Sequence, residues 1–124
     1  MFVPILMFAT AAGFALFWIG WTRSEHTEPW LPKGYMEHER PFIWSDGVAA
    51  VLLVVAGLLV LAGFELGQRL ALVAAGMLWF LVILDTAYFA QNRLFARSHD
   101  GLANALTVMG LATVGTVIIV AYGF

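Results

Sequence analysis

Residues 47–90 read GVAAVLLVVAGLLVLAGF, ELGQR, LALVAAGMLWFLVILDTAYFA: two long apolar runs parted only by Glu65, Leu66, Gly67, Gln68 and Arg69. Each run, 47–64 and 70–90, is near the ~20 residues an α-helix needs to cross a hydrocarbon layer ~30 Å thick. A lone strand in lipid would leave its backbone N–H and C=O groups unpaired, and neither run alternates as a barrel strand does, so both are predicted helices. So short a link forces the two helices antiparallel, with the turn expected at Gly67. Glu65 and Arg69 are placed to pair across it, although an exposed ion pair contributes little.

Two further runs of spanning length, 2–21 and 102–122, lie outside this hairpin. The connection 93–101 is short, which makes the third and fourth spans neighbours. The connection 23–45 is long and carries Pro29, Pro32, Pro41 and four of the eight acidic residues. The expected fold is all-α: one antiparallel four-transmembrane-helix bundle over residues 1–124, its helices in the order 1-2-3-4 around the ring, with 23–45 lying along the interface. Composition agrees. Of the 124 residues 62% are hydrophobic and 11% charged, against roughly 45–50% and 25% in a soluble domain, and a fold this short cannot hide the surplus from water. Residues 2–21 lack a basic leader and are too long for the apolar part of a cleaved signal peptide, so they read as a retained first span.

A net charge of −2 without any dense basic stretch excludes nucleic acid as a partner. The absence of cysteine excludes disulfides, thiolate metal sites and thiol redox chemistry. The basic residues set the orientation: Arg23, Lys33, Arg40, Arg93 and Arg97 share the side of the first and third connections, and only Arg69 falls on the other. Positive charge is retained on the cytoplasmic side, so the chain is expected to be multi-pass in a plasma (inner) membrane, with both termini outside the cytoplasm and 23–45 inside. Trp18, Trp21, Trp30, Tyr35, Phe42 and Trp44 crowd the same side, where aromatic rings favour the headgroup layer.

Asp85 is the leading site candidate. At 1.5 Å per residue it lies about 12 Å below the helix end at Arg93, inside the hydrocarbon. An ionised carboxylate there costs ~2.5–3.5 kcal/mol, so it must face the bundle interior and be paired, wet or protonated. Tyr88 and Asn92 follow at i+3 and i+7, on one stripe with it. Asp100, Asn104 and Thr107 form a matching stripe on the fourth helix, Thr107 about 10 Å in from Asp100, so Asn104 and Thr107 are expected to donate to Asp85. The cluster reads either as a protonatable or ligand-binding site or as a hydrogen-bonded lock on helix register. His99 projects from the same membrane side. Imidazole and carboxylate suit zinc or iron, which makes His26, His38, Glu37 and Glu39 weak metal candidates. Their spacing matches no metal motif, and no metal or other cofactor is expected. No nucleophile elbow, phosphate loop or intramembrane haem ligand is present, so no catalytic residue is assigned. Small residues at four-residue spacing, Ala9 with Gly13, Gly67 with Ala71 and Ala75, Gly101 with Ala105, and Ala112 with Thr116, allow close helix packing within the bundle.

Gly34-Tyr35, Glu37-His38-Glu39 and Asp46, taken with Asp85-Thr86-Ala87-Tyr88-Phe89-Ala90-Gln91-Asn92, give the chain a resemblance. It resembles uncharacterised small bacterial four-helix membrane proteins in which a Gly-Tyr…Glu…Asp segment enters the second helix and an Asp…Gln-Asn segment closes the third. It is similar in topology alone to DoxX-like proteins, and topology implies no activity. It lacks the paired asparagines of fluoride channels and the central first-span glutamate of small multidrug exporters. Arg97-Ser98-His99 through Asn104 is faintly similar to a segment of membrane glutathione-linked enzymes, but it follows the wrong helix.

Two functions are expected from these features. The first is a non-catalytic component that packs in the bilayer with other membrane subunits or with a second copy of the chain. The alternative is a binding or transport protein whose cytoplasmic-facing vestibule, lined by Asp85, Tyr88, Asn92, Asn104 and Thr107, takes a small lipophilic or cationic ligand. A weaker third is an enzyme on a membrane-dissolved substrate, with Asp85 and His99 as acid/base candidates.

Overall fold

The computed structural model describes residues 1–24, 26–96 and 100–124. Five helices follow in order: α1 (Phe2–Arg23), α2 (Tyr35–Glu39), α3 (Phe42–Leu61), α4 (Glu65–Gln91) and α5 (Gly101–Gly123). α1, α3, α4 and α5 form an all-α four-helix bundle, and each is long and apolar enough to cross a membrane, α3 together with the short α2. Around the ring α1 packs on α3, α3 on α4 and α4 on α5. α1 and α5 close the ring and are its least-packed neighbours.

The expected turn at Gly67 is corrected. α3 ends instead at a Schellman motif in which Phe64 N–H donates to Leu59 C=O at 2.9 Å and Gly63 N–H to Val60 C=O at 3.0 Å. Gly63 takes the left-handed conformation this cap requires, φ 86°. Gly67 lies in the first turn of α4, where its lack of a side chain lets that helix approach the end of α3. α4 therefore begins at Glu65, and Arg69 reaches back one turn to Glu65 at 3.7 Å. At its other end α4 closes with the same kind of cap: Leu94 N–H donates to Phe89 C=O at 2.8 Å, with Arg93 in the left-handed position at φ 58°. α3 also starts earlier than hydropathy suggests, because Pro41 supplies a helical φ of −62° and lacks only an N–H that a helix start leaves unpaired anyway.

The core takes Met7, Leu53, Leu78 and Ile118, one from each long helix, all fully buried. Ala49, Ala56, Ala71, Ala74 and Ala75 are buried between α3 and α4, so this helix pair packs on small residues. The Gly67, Ala71, Ala75 stripe is buried as expected of packing, whereas Ala9 and Gly13 are exposed beside α5. The outer surface is apolar: Leu16, Phe80, Ile83, Leu102 and Val120 are all more than half exposed, a patch size that water does not tolerate and lipid does.

Candidate functional site

The weak α1–α5 seam opens into a cavity of about 460 Å³ that reaches every helix of the chain. Its polar wall gathers at the end of the bundle where α1 finishes and α3 and α5 begin. There α2 contributes Tyr35 and Glu39, α3 contributes Asp46, α4 contributes Asp85 and α5 contributes Asn104 and Thr107. Phe14, Phe17, Phe42 and Phe89 complete the lining with aromatic rings. Among the described residues no lysine, arginine or histidine lines the cavity.

The three carboxyls are held differently. Asp46 starts α3 facing inward, 8% exposed, and the indole Nε1–H of Trp18 donates to its Oδ2 at 2.7 Å. Glu39 ends α2 and is likewise 8% exposed, yet no described residue donates to it or pairs with it. Asp85 stands half-buried one helix away and receives no hydrogen bond from any described residue. Glu39 and Asp85 are close enough to Asp46 for the charges to repel. The result is a pocket lined by three carboxyls, two of which face no cation or hydrogen-bond donor among the described residues. Such groups in a low-dielectric cleft call for a partner that no described residue supplies.

The expected donation from Asn104 and Thr107 to Asp85 is corrected. Asn104 Nδ2 donates to Leu94 C=O at 2.7 Å and so pins the start of α5 to the end of α4. Thr107 Oγ1 donates at 2.8 Å to Ala103 C=O on its own helix, the local bond that a mid-helix threonine commonly prefers. Of the proposed vestibule, Asp85, Asn104 and Thr107 line the cavity, and Tyr88 and Asn92 do not. Tyr88 turns to α2, where its ring stacks on His38 at 3.7 Å and 12°, while Asn92 caps α4 and donates back to Tyr88 C=O at 2.9 Å. Asp100 is exposed at the N-terminus of α5. His99, Arg97 and Glu25 lie outside the described residues. Of the weak metal candidates, His26 sits against Trp21, its Nε2 3.0 Å from Trp21 C=O. His38 is stacked, Glu37 is exposed and only Glu39 reaches the cavity. Among the described residues no three histidine or acidic side chains converge as ligands of one ion.

An aromatic floor supports α2 over the cavity. Trp21 Nε1–H donates to Tyr35 Oη at 3.2 Å, and His26 packs between the Trp21 and Tyr35 rings at 4.6 and 5.7 Å. Trp18 joins this series through Trp21 at 5.2 Å. Trp18→Phe keeps a ring there but strips Asp46 of its donor, and should destabilise the protein by about 2 kcal/mol in detergent melts. Asp46→Asn retains the acceptor and should lose less. No loss from Trp18→Phe would show that the indole N–H adds nothing to stability.

No protein family, curated protein or solved structure matches this chain.

Proposed function

We propose that the chain is a membrane-embedded binding protein for an organic cation, which lodges in the cavity with its charge against Glu39 and Asp85. The observation that carries this reading is Glu39, a buried acid that lines the cavity without a partner among the described residues. A cavity of about 460 Å³ falls in the range of small-molecule sites, ~300–1,000 Å³. Among the described residues the carboxyls do not converge on one point as ligands of an ion, which suits a substituted ammonium and not a bare metal ion. Phenyl rings beside the acids favour such a cation further, since the face of an aromatic ring attracts a desolvated ammonium. In this reading the acid end faces the cytoplasmic leaflet of a bacterial inner membrane, with both termini outside, because all but one of the lysines and arginines flank that end.

The test separates charge from shape. Benzyltrimethylammonium at saturating concentration should raise the melting temperature of the purified protein by about 5 °C or more, as expected for a ligand well above its Kd. Neopentylbenzene, which has carbon in place of nitrogen, should not. Equal shifts from the two, or none from either, would remove the cation-binding reading. A second reading, packing with other membrane subunits or another copy, draws support from α5, whose apolar window is only 17% buried against 33% in α4.

A further inference from the structure

The cavity is not a compact pocket. On α5 its lining runs from Asn104 to Val114, about 15 Å of helix at 1.5 Å per residue. On antiparallel α1 it runs from Phe17 to Ala9, about 12 Å by the same rise. All three carboxyls stand at one end of this trough. Toward the other end the walls are Ala9, Gly13, Gly110 and Val114, and the one polar side chain there, Thr10, is satisfied by its own helix at Leu6 C=O, 2.8 Å away. The trough also has a missing side wall. Ala9, Gly13 and Phe17 on α1 and Leu106, Thr107 and Gly110 on α5 are exposed although they line it. A Cβ added to Gly13 or Gly110 would meet nothing within 4 Å. Two glycines facing open space across the least-packed seam of the ring leave a slot toward the lipid, level with the apolar part of the spans.

We infer that the ligand is a single-chain amphiphilic cation, an alkylamine or alkylammonium that enters sideways from the bilayer through the α1–α5 slot, with its head among Glu39, Asp46 and Asp85 and its chain along Gly13 and Gly110. This rests on the cation-binding reading and specifies the ligand for that same site. An apolar trough ending in unpartnered acids matches a molecule with one charged end and one oily end. The width left by the glycines and the volume of about 460 Å³ suit one chain rather than two. A headgroup that carries phosphate beside its amine fits poorly, because no basic side chain among the described residues lines the trough to receive it.

Native mass spectrometry of the protein released from nanodiscs would read the bound probe as a one-to-one adduct. Dodecyltrimethylammonium should compete with benzyltrimethylammonium at a concentration at least about tenfold lower than tetramethylammonium does, because burial of each methylene adds affinity. Dodecanoate, with the same chain and the opposite charge, should not form the adduct. Gly110→Phe and, independently from the opposite wall, Gly13→Phe should cut dodecyltrimethylammonium binding about tenfold or more by filling the slot. If benzyltrimethylammonium binds but affinity is indifferent to chain length, or dodecanoate binds as well, the amphiphile inference is overturned and the cation site stands. The chain-length series needs no variant, so misfolding of either phenylalanine substitution would not shelter the idea. Failure of every cation to bind removes both.

Discussion

Asp85→Asn is expected to weaken benzyltrimethylammonium binding by about a hundredfold while leaving the melting temperature of the unliganded protein unchanged or higher. The first half follows from the cost of taking one partner from a buried ion pair, about 3–5 kcal/mol, of which ~2.7 kcal/mol already gives two decades in Kd. The second half follows from the geometry around Asp85, which accepts no hydrogen bond from a described residue and is repelled by Asp46. No described residue pairs with it, so neutralising it should cost the bundle nothing. Glu39→Gln should behave the same way, since Glu39 is also without a partner among the described residues. Asp46→Asn should cost less affinity, because Trp18 already occupies one of its oxygens.

The pattern across variants distinguishes this site from a register lock. If Asp85 held the helices together by hydrogen bonding, Asn would be silent in binding and Asp85→Leu would loosen the bundle by about 1 kcal/mol. With no interhelical bond to a described residue to lose, Asp85→Leu should instead abolish binding at equal or greater stability. Titration calorimetry of the probe against wild type, Asp85→Asn, Glu39→Gln and Asp85→Leu, with melts of each apoprotein, reads both quantities. Retention of wild-type affinity by Asp85→Asn would end the case for a carboxylate–cation contact.

The four spans were legible because hydropathy reports where lipid begins and ends, and that is a strong, local signal. It does not report where a helix begins and ends. Glu65 and Arg69 fall outside the apolar run and so read as a link, yet they continue α4, since a helix may project past the lipid boundary when its charges lie one turn apart. The turn was misplaced onto Gly67 because glycine serves two needs, a left-handed cap and a close approach, and only backbone conformation tells Gly63 from Gly67. Asp85, Asn104 and Thr107 were found by matching depth along two antiparallel helices. Tyr88 was misassigned because three residues advance a helix to about 60° short of a full turn-set, whereas four overshoot by about 40°. That difference sends Tyr88 to His38 and puts Phe89 in the cavity. Asp46 is not among the site residues read from sequence, and Glu39 is there only as a weak metal candidate, because both sit in or beside a segment that hydropathy scores as a loop. The signal that could have found them is their position beside the same membrane end as Asp85, with Asp46 at the first turn of a span.

Gly67→Ala should destabilise the bundle by about 3 kcal/mol, the upper part of the range for overpacking. The added Cβ would stand 2.5 Å from Val60 N and 2.9 Å from Ala56 O, both backbone atoms of α3. No side chain can rotate away to make room, so α3 and α4 must part where Gly67, Ala71 and Ala75 let them touch. Van der Waals packing is the main force between helices in lipid, and a separation there is not offset by a hydrophobic gain elsewhere. Gly76→Ala on the same helix is the matched control. Its Cβ meets nothing within 4 Å, so the only change is the alanine preference for helix, up to ~1 kcal/mol in its favour. Thermal or SDS-titration melts of the two variants beside wild type should therefore diverge in opposite directions. If Gly67→Ala melts with Gly76→Ala, the close approach of α4 to the end of α3 is not what holds the hairpin, and the facing positions of Asp46 and Asp85 must depend on the loops instead.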